Sequence, residues 1–519
     1  MTKQGLQARD AILAVVCGGL ALVLYVRTLV PYLLPLDSGE FQVLVHQMGL
    51  AHTTGYSTYI LLGHLFERSL PWGDAAYRTN LFSAVMGTVA IALVYLAAVL
   101  LAGRRLAAVV GALCLAAGFT FWSQAIIAEV YTTGAAFTAA VLFFVLLWYR
   151  GHQRWPIFVA GALGGAGLGA HSSVGLLGML VAVFLLLNWK QWREWLLPGA
   201  AGVAVGLALY AGGMLLVDAN QAPANVFNAA YTPSRSSWGL SAAAVADPLA
   251  RTWFLASAGQ WKSALFNNPL ADTAVNSAVF LLKLPREFSP VALAVALLGS
   301  VLLVRRDWRL AILLLGAAVL QLAVYTNYDV GDRYVFYIPV YLLAALLLSV
   351  GVAGLQDWLA RQSWGGPAPQ GVLFALILLA CLFPLLQPRW PAVVAGGNPF
   401  QGERDYLVDA RSRSVAAAAA QVTADLEPDA IVLTNWYWLF PYYYAAHLQQ
   451  GKPEMRFVET YPRSDTPGIA NSLLDYIDAN IDRHPIYIDE LDGAFTAAGY
   501  RLRNVRAGPI VLYRLERGA

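Results

Sequence analysis

The chain reads as a polytopic α-helical membrane protein with a small C-terminal α/β domain, and three observations lead there. Its 519 residues are 58% hydrophobic and only 13% charged, with a mean hydropathy of +0.57, whereas a soluble globule carries about 25% charged residues. Apolar runs long enough to cross a bilayer recur along the first three quarters of the chain. The last 130 or so residues instead alternate short apolar strands with helical patterns. A net charge of +3, spread over short loops, gives no support for nucleic-acid binding. Cys17, Cys114 and Cys381 all fall inside apolar runs, which predicts buried thiols rather than a disulfide framework.

About eleven spans are expected from runs of roughly 17 to 25 apolar residues. They lie near 10–31, 80–102, 106–122, 131–149, 156–171, 173–188, 196–217, 289–304, 309–326, 333–353 and 370–387. With a cytoplasmic N-terminus, the short loops carrying Arg104/Arg105, Arg150/Arg154, Lys190/Arg193, Arg305/Arg306/Arg309 and Arg361 all fall on the inner side. The first span has no small-residue cleavage site and reads as a signal anchor. The expected domains are a transmembrane part, 1–390, with outer loops 31–80 and 218–288, and a soluble extracytoplasmic part, 391–519. The cell membrane is the expected location. In the tail, "AIVLTN", "MRFVET", "PIYIDE" and "PIVLYRL" are the predicted strands, and no phosphate-cradling glycine motif accompanies them.

The first outer loop opens with "LPLDSGEFQVLVHQMGLAHTTGY", Leu34 to Tyr56. Phe41, Leu44, Val45 and Met48 recur at helical spacing while Gln42, His46 and Gln47 fall opposite, which predicts a short amphipathic helix in the membrane interface. Asp37 stands where an N-cap would stand, and Glu40 follows where a capping-box acid would. Spacing alone therefore explains both carboxylates as a helix cap. The same spacing is compatible with chemistry, because a carboxylate held ionised at a helix N-terminus can accept a proton from a hydroxyl.

The stretch from Asp37 to Phe82, with its acidic turn, "AH..GY" loop and "YR.N" entry into the next span, resembles a family of polytopic GT-C class membrane glycosyltransferases. That family includes the eukaryotic protein O-mannosyltransferase acting on plexin-type extracellular domains. Weaker resemblance continues through "FTFWSQAIIAEVYT" at 119–132, "GLGAHSSVG" at 167–175 and the tail's "IVLTNWYWLFPYYY". It implies a sugar transferase using a polyprenyl-phosphate sugar donor, with a protein, glycan or lipid acceptor, whose base is an acid of the first outer loop, here Asp37. Glu40 would orient that base or the acceptor. His52 and Tyr56 belong to the "AH..GY" motif and are expected substrate contacts, with a hydrogen-bonded structural histidine as the alternative for His52. The loop departs from the family's proline-rich "HPPGYP" in reading "HTTGYST".

Transfer from a lipid phosphate also calls for cations beside the departing phosphate. Arg333 opens a helix end in "YDVGDRY", and Arg78 borders the first loop; each serves either phosphate or a neighbouring acid, Asp329 or Asp332 for the former and Asp74 or Glu67 for the latter. Glu129 and His171 lie at predicted outer boundaries, where a site role competes with a helix cap or a structural histidine. His46, His52 and His64 match no zinc spacing. No cofactor is expected, although a divalent ion on Asp37 and Glu40 is compatible with their chemistry. The run "NWYWLFPYYY" suits either sugar stacking or the membrane interface. A transporter, flippase or scaffold for polyprenyl-linked sugars is the competing class, disfavoured because ionisable residues gather at span ends rather than mid-membrane.

Overall fold

The computed structural model describes residues 6–363, 365–403, 406, 408, 411–462 and 468–518. Seven helices are long and apolar enough to cross a membrane: Ala8–Thr28, Ala75–Ala102, Tyr131–Gly151, Trp189–Ala219, Trp308–Thr326, Arg333–Ala360 and Pro367–Ala395. Two bent pairs raise the number to nine among the described residues, with a 66° break between Arg105–Ala117 and Phe119–Ala125 and a 110° break between Leu270–Glu287 and Pro290–Arg306. The shorter helices Trp155–Gly169 and Ser173–Leu187 are also apolar. Every expected span thus falls on helix, but two of them reach spanning length only as bent pairs, and two more, Trp155–Gly169 and Ser173–Leu187, are too short to cross. The protein is an integral membrane protein.

The chain divides into two compact units. One comprises Met1–Val30, Ser83–Tyr210 and Lys262–Asp405; the other gathers Pro31–Phe82, Ala211–Trp261 and Tyr406–Ala519. In the first, helices approach closely because glycines face one another. A Cβ on Gly299 would lie 1.9 Å from Leu347 O, and one on Gly351 would lie 2.0 Å from Val295 O, so Pro290–Arg306 and Ile338–Ala360 meet backbone to backbone. Two buried polar groups there bond between helices: Trp122 Nε1 donates to Thr28 Oγ1 at 2.9 Å and the Tyr25 hydroxyl to Ala116 O at 3.0 Å. Cys17, Cys114 and Cys381 are buried free thiols.

The second unit contains a five-stranded sheet with β1 at Ile431–Thr434, β2 at Arg456–Glu459, β3 at Ile486–Ile488, β4 at Tyr500–Ala507 and β5 at Ile510–Arg517. Its order is β2-β1-β3-β5-β4; the first three strands are parallel, and β5 runs antiparallel to both neighbours. Strand β1 is buried at all four positions, as a central parallel strand must be. The core is formed by Ile431, Leu433, Val458, Leu473, Ile477, Ile486, Ile488 and Phe495. All four predicted strands are present. The fifth, β4, was not anticipated, because "YRLRNVRA" is strongly charged and pairs only with β5. The aromatic run forms the helix Trp436–Tyr443, whose Asn435 cap accepts from Tyr437 N.

Candidate functional site

The first loop's helix, Leu36–Gln47, is capped differently from the expectation. Pro35 is the N-cap residue, no side chain caps the start, and Asp37 already lies inside the first turn. The helix is not a surface helix either: Ser38 to Val45 are all buried. Gln42, expected on a polar face, is fully buried; its Oε1 accepts from Leu34 N and its Nε2 donates to Asn80 Oδ1 at 2.9 Å. Period-3.6 patterning misled here because the unit buries both faces, satisfying the polar one with internal hydrogen bonds.

Released from capping, the two carboxylates converge on His52. Glu40 is fully buried; its Oε1 accepts from His52 N at 2.8 Å, and its Oε2 lies 2.5 Å from His52 Nδ1. This pairing points Nε2 of the imidazole towards Asp37 Oδ2, 3.9 Å away. Asp37 is the accessible member, with 37% of its side chain exposed against none for Glu40. Its Oδ1 accepts the indole N–H of Trp436 at 2.7 Å. Burial pushes the Glu40 carboxyl up, while His52 opposes that shift through charge and hydrogen bonding. One ligand atom from each of Asp37, Glu40 and His52 lies within 4.8 Å of the others, a spacing that could hold a metal ion.

The turn behind His52 is sterically specified. Gly55 has φ +81°, and a Cβ there would lie 2.5 Å from the Met214 methyl. Tyr56 follows in the left-handed region and packs edge-on against His52 and Phe41, at 5.2 and 5.5 Å between ring centres. The other loop histidines serve packing: His46 Nδ1 meets Glu67 at 2.6 Å, and His64 Nδ1 meets Val45 O at 2.8 Å. Arg78 spends Nε and one terminal nitrogen on Gly73 O, at 3.0 and 2.7 Å, and the other on Glu67 O.

Glu129, His171 and Arg333 belong to the other unit. Glu129 is buried before the helix Tyr131–Gly151, and its main-chain N–H donates to Ser83 Oγ. His171 Nδ1 pairs with Ser173 Oγ at 2.8 Å, and its ring packs on Tyr131 and Phe336. The His171 Nε2 is buried without a hydrogen-bond partner among the described residues. Arg333 donates to Tyr328 O and Asn276 Oδ1, both at 2.6 Å, with Asp329 at 3.6 Å. The residue that spacing did not single out is Trp436, which lies 399 positions from Asp37. Its only sequence signal was a place in an aromatic run.

Solved structures share this fold over nearly the whole chain. ArnT from Cupriavidus metallidurans, in a crystal structure bound to undecaprenyl phosphate, is 15% identical with a TM-score of 0.59, over 98% of each chain. The Archaeoglobus fulgidus oligosaccharyltransferase is 13% identical with a TM-score of 0.55, over 98% of this chain and 73% of that one. At the level of sequence, residues 37–196 match the family model described as the protein O-mannosyl-transferase TMEM260 N-terminal domain. The mouse protein O-mannosyl-transferase TMEM260 is 31% identical over 106 residues, and the Dictyostelium discoideum protein 28% over 129 residues. These matches span 20% and 24% of this chain, and only 15% and 16% of the relatives' own length.

Proposed function

We propose that the protein is a membrane glycosyltransferase that moves a sugar from a polyprenyl-phosphate donor to an acceptor hydroxyl, with Asp37 as the general base. The observation that carries the reading is the asymmetry within the acidic cluster: Asp37 is open, and Glu40 is sealed beneath His52. Only the open carboxylate can receive a proton from an incoming hydroxyl. Glu40 then acts by holding His52, whose Nε2 side faces Asp37. The match of 37–196 to an O-mannosyl-transferase domain supports sugar transfer, and the likeness to an ArnT bound to undecaprenyl phosphate supports a lipid-phosphate donor. The relatives' name favours a protein Ser or Thr as acceptor and mannose as the first sugar to try.

In the reaction the acceptor oxygen attacks the anomeric carbon from the face opposite the phosphate. Asp37 takes the hydroxyl proton, the bond from anomeric carbon to phosphate oxygen breaks, and polyprenyl phosphate departs with inversion. Phosphate is already a competent leaving group, so the base contributes most where the nucleophile is activated. Tyr56, beside His52, is a candidate sugar contact. Arg78, Glu129, His171 and Arg333 are retained as substrate-binding candidates, to be tested one at a time. The active site is proposed to face the extracytoplasmic side, following the basic loops.

The test is transfer of labelled mannose from polyprenyl-phosphate mannose by purified protein, wild type against Asp37→Asn. Loss of transfer with donor binding retained is expected. Full activity in a folded Asp37→Asn protein would remove the proposed base. Donor-dependent lipid translocation without transfer would favour the flippase reading instead.

A further inference from the structure

The carboxyl ends of the three parallel strands carry a second acidic group that the proposed reaction does not use. Thr434 ends β1 and pairs in register with Glu459, which ends β2. On the other side Leu433 pairs with Ile488 of β3, so Asp489 comes level with Thr434. Residues level with one another on adjacent parallel strands share a face, and Glu459, Thr434 and Asp489 therefore form a row across the sheet. The Thr434 hydroxyl indeed donates to Asp489 Oδ2. The strand order β2-β1-β3 places the topological switch point between β1 and β3, next to this row. Open α/β sheets receive ligands in the crevice at such a point.

Charge is not balanced there. Glu459 is 4% exposed, and its Oε2 is buried with no hydrogen-bond partner among the described residues. The nearby main-chain N–H groups of Trp436 and Tyr461 oppose the shift that burial drives at Glu459, and that of Asn435 does so at Asp489. The exposed Glu490 follows, with Asn435 Nδ2 at 3.1 Å from its Oε1. The start of the helix Trp436–Tyr443 offsets only about half a charge, against three carboxylates. Among the described residues no Lys or Arg forms an ion pair with Glu459, Asp489 or Glu490. Burial, reinforced by Asp489, pushes the Glu459 carboxyl up to about 8, and burial pushes Asp489 up to about 6.

We propose that Glu459 and Asp489, with the Thr434 hydroxyl between them, form a binding site for a hard divalent cation at the carboxyl edge of the sheet. All the donors are oxygens, which selects magnesium, calcium or manganese over zinc or copper. The buried Oε2 is the unused ligand atom, and solvent reaches the site on the side of Asp489. The site is independent of the proposed sugar transfer, because it is read by binding alone.

The experiment uses the full-length protein in detergent, stripped with EDTA and titrated with calcium, magnesium or manganese by calorimetry. Terbium luminescence sensitised by neighbouring tryptophans provides a second readout. Saturable binding is expected in the wild type and in Asp37→Asn, with at least a ten-fold loss of affinity in both Glu459→Gln and Asp489→Asn. Asp489 is only partly buried, so its variant serves if Glu459→Gln fails to fold. The proposal is overturned if no ion binds saturably, if Asp489→Asn binds like the wild type, or if Asp37→Asn abolishes binding. That last result would move the ion to the Asp37, Glu40 and His52 cluster.

Discussion

The indole N–H of Trp436 donates to Asp37 Oδ1 at 2.7 Å, tying a residue of the C-terminal sheet domain to the first acid of the family-matching segment. Trp436→Phe keeps the ring and removes the bond to Asp37. Expected is a fall in kcat of about ten-fold, the value of a hydrogen bond to a charged group at roughly 1.5 kcal/mol, with little change in KM. The pH profile of kcat should also shift, which a purely structural role would not produce. Steady-state transfer assays across pH check both.

Asp37→Asn should lower transfer by roughly two to four orders of magnitude, the usual contribution of a general base. Its partly exposed side chain makes a folding defect unexpected. Parallel measurement of donor binding and of thermal melting separates lost chemistry from lost structure.

His52→Ala should act mainly on stability. It removes the ring that meets Oε2 of the fully buried Glu40, leaving that carboxylate only the main-chain N–H of position 52 on Oε1. Breaking a buried pair from one side costs about 3–5 kcal/mol. Melting of the detergent-solubilised variant should fall by several degrees, and pairing it with Glu40→Leu should recover part of the loss, since no half-satisfied buried carboxylate remains.

Gly55→Ala tests the turn that delivers His52. The new Cβ would meet Met214 at 2.5 Å in a backbone conformation with φ +81°. A loss of about 1–3 kcal/mol is expected. Met214→Ala in the same chain should relieve the clash but not the backbone strain, so rescue measured by melting should be partial.

Stability in chelator should depend on pH through Glu459. Its folded pKa, about 8, lies above the ordinary 4.5, so the folded state holds its proton more tightly than the unfolded one. The contribution is therefore fully present below the unfolded value and lost as pH rises towards 8, on the order of 5 kcal/mol in total. Melting temperature in EDTA should decline between pH 5 and pH 8 in the wild type. Glu459→Gln should flatten that decline.

Composition alone determined that the chain lies in a membrane, because no water-soluble fold tolerates so many apolar residues with so few charges. Span positions followed from the runs of apolar residues, and four strands of the tail from their short apolar stretches. Those are local properties, written in contiguous residues. Strand β4 escaped because its stability comes from its pairing with β5 rather than from its own composition. The capping reading of Asp37 and Glu40 failed for a related reason. Spacing could propose a cap, but a helix sealed on nearly every side freed both carboxylates for tertiary partners.

The acidic residues of the first loop were legible as candidates from residue type and family resemblance. Only the tertiary structure decided their division of labour. Glu40 is buried under His52 and Asp37 remains open, a difference set by which side of the helix other segments cover. Trp436 could not be found from the sequence, since a hydrogen bond spanning 399 positions leaves no local pattern. The same holds for Glu459 and Asp489, which are 30 residues apart in the chain and come level only because β2 and β3 flank β1. Chain-local chemistry chose the environment and the elements; long-range packing chose which charges meet.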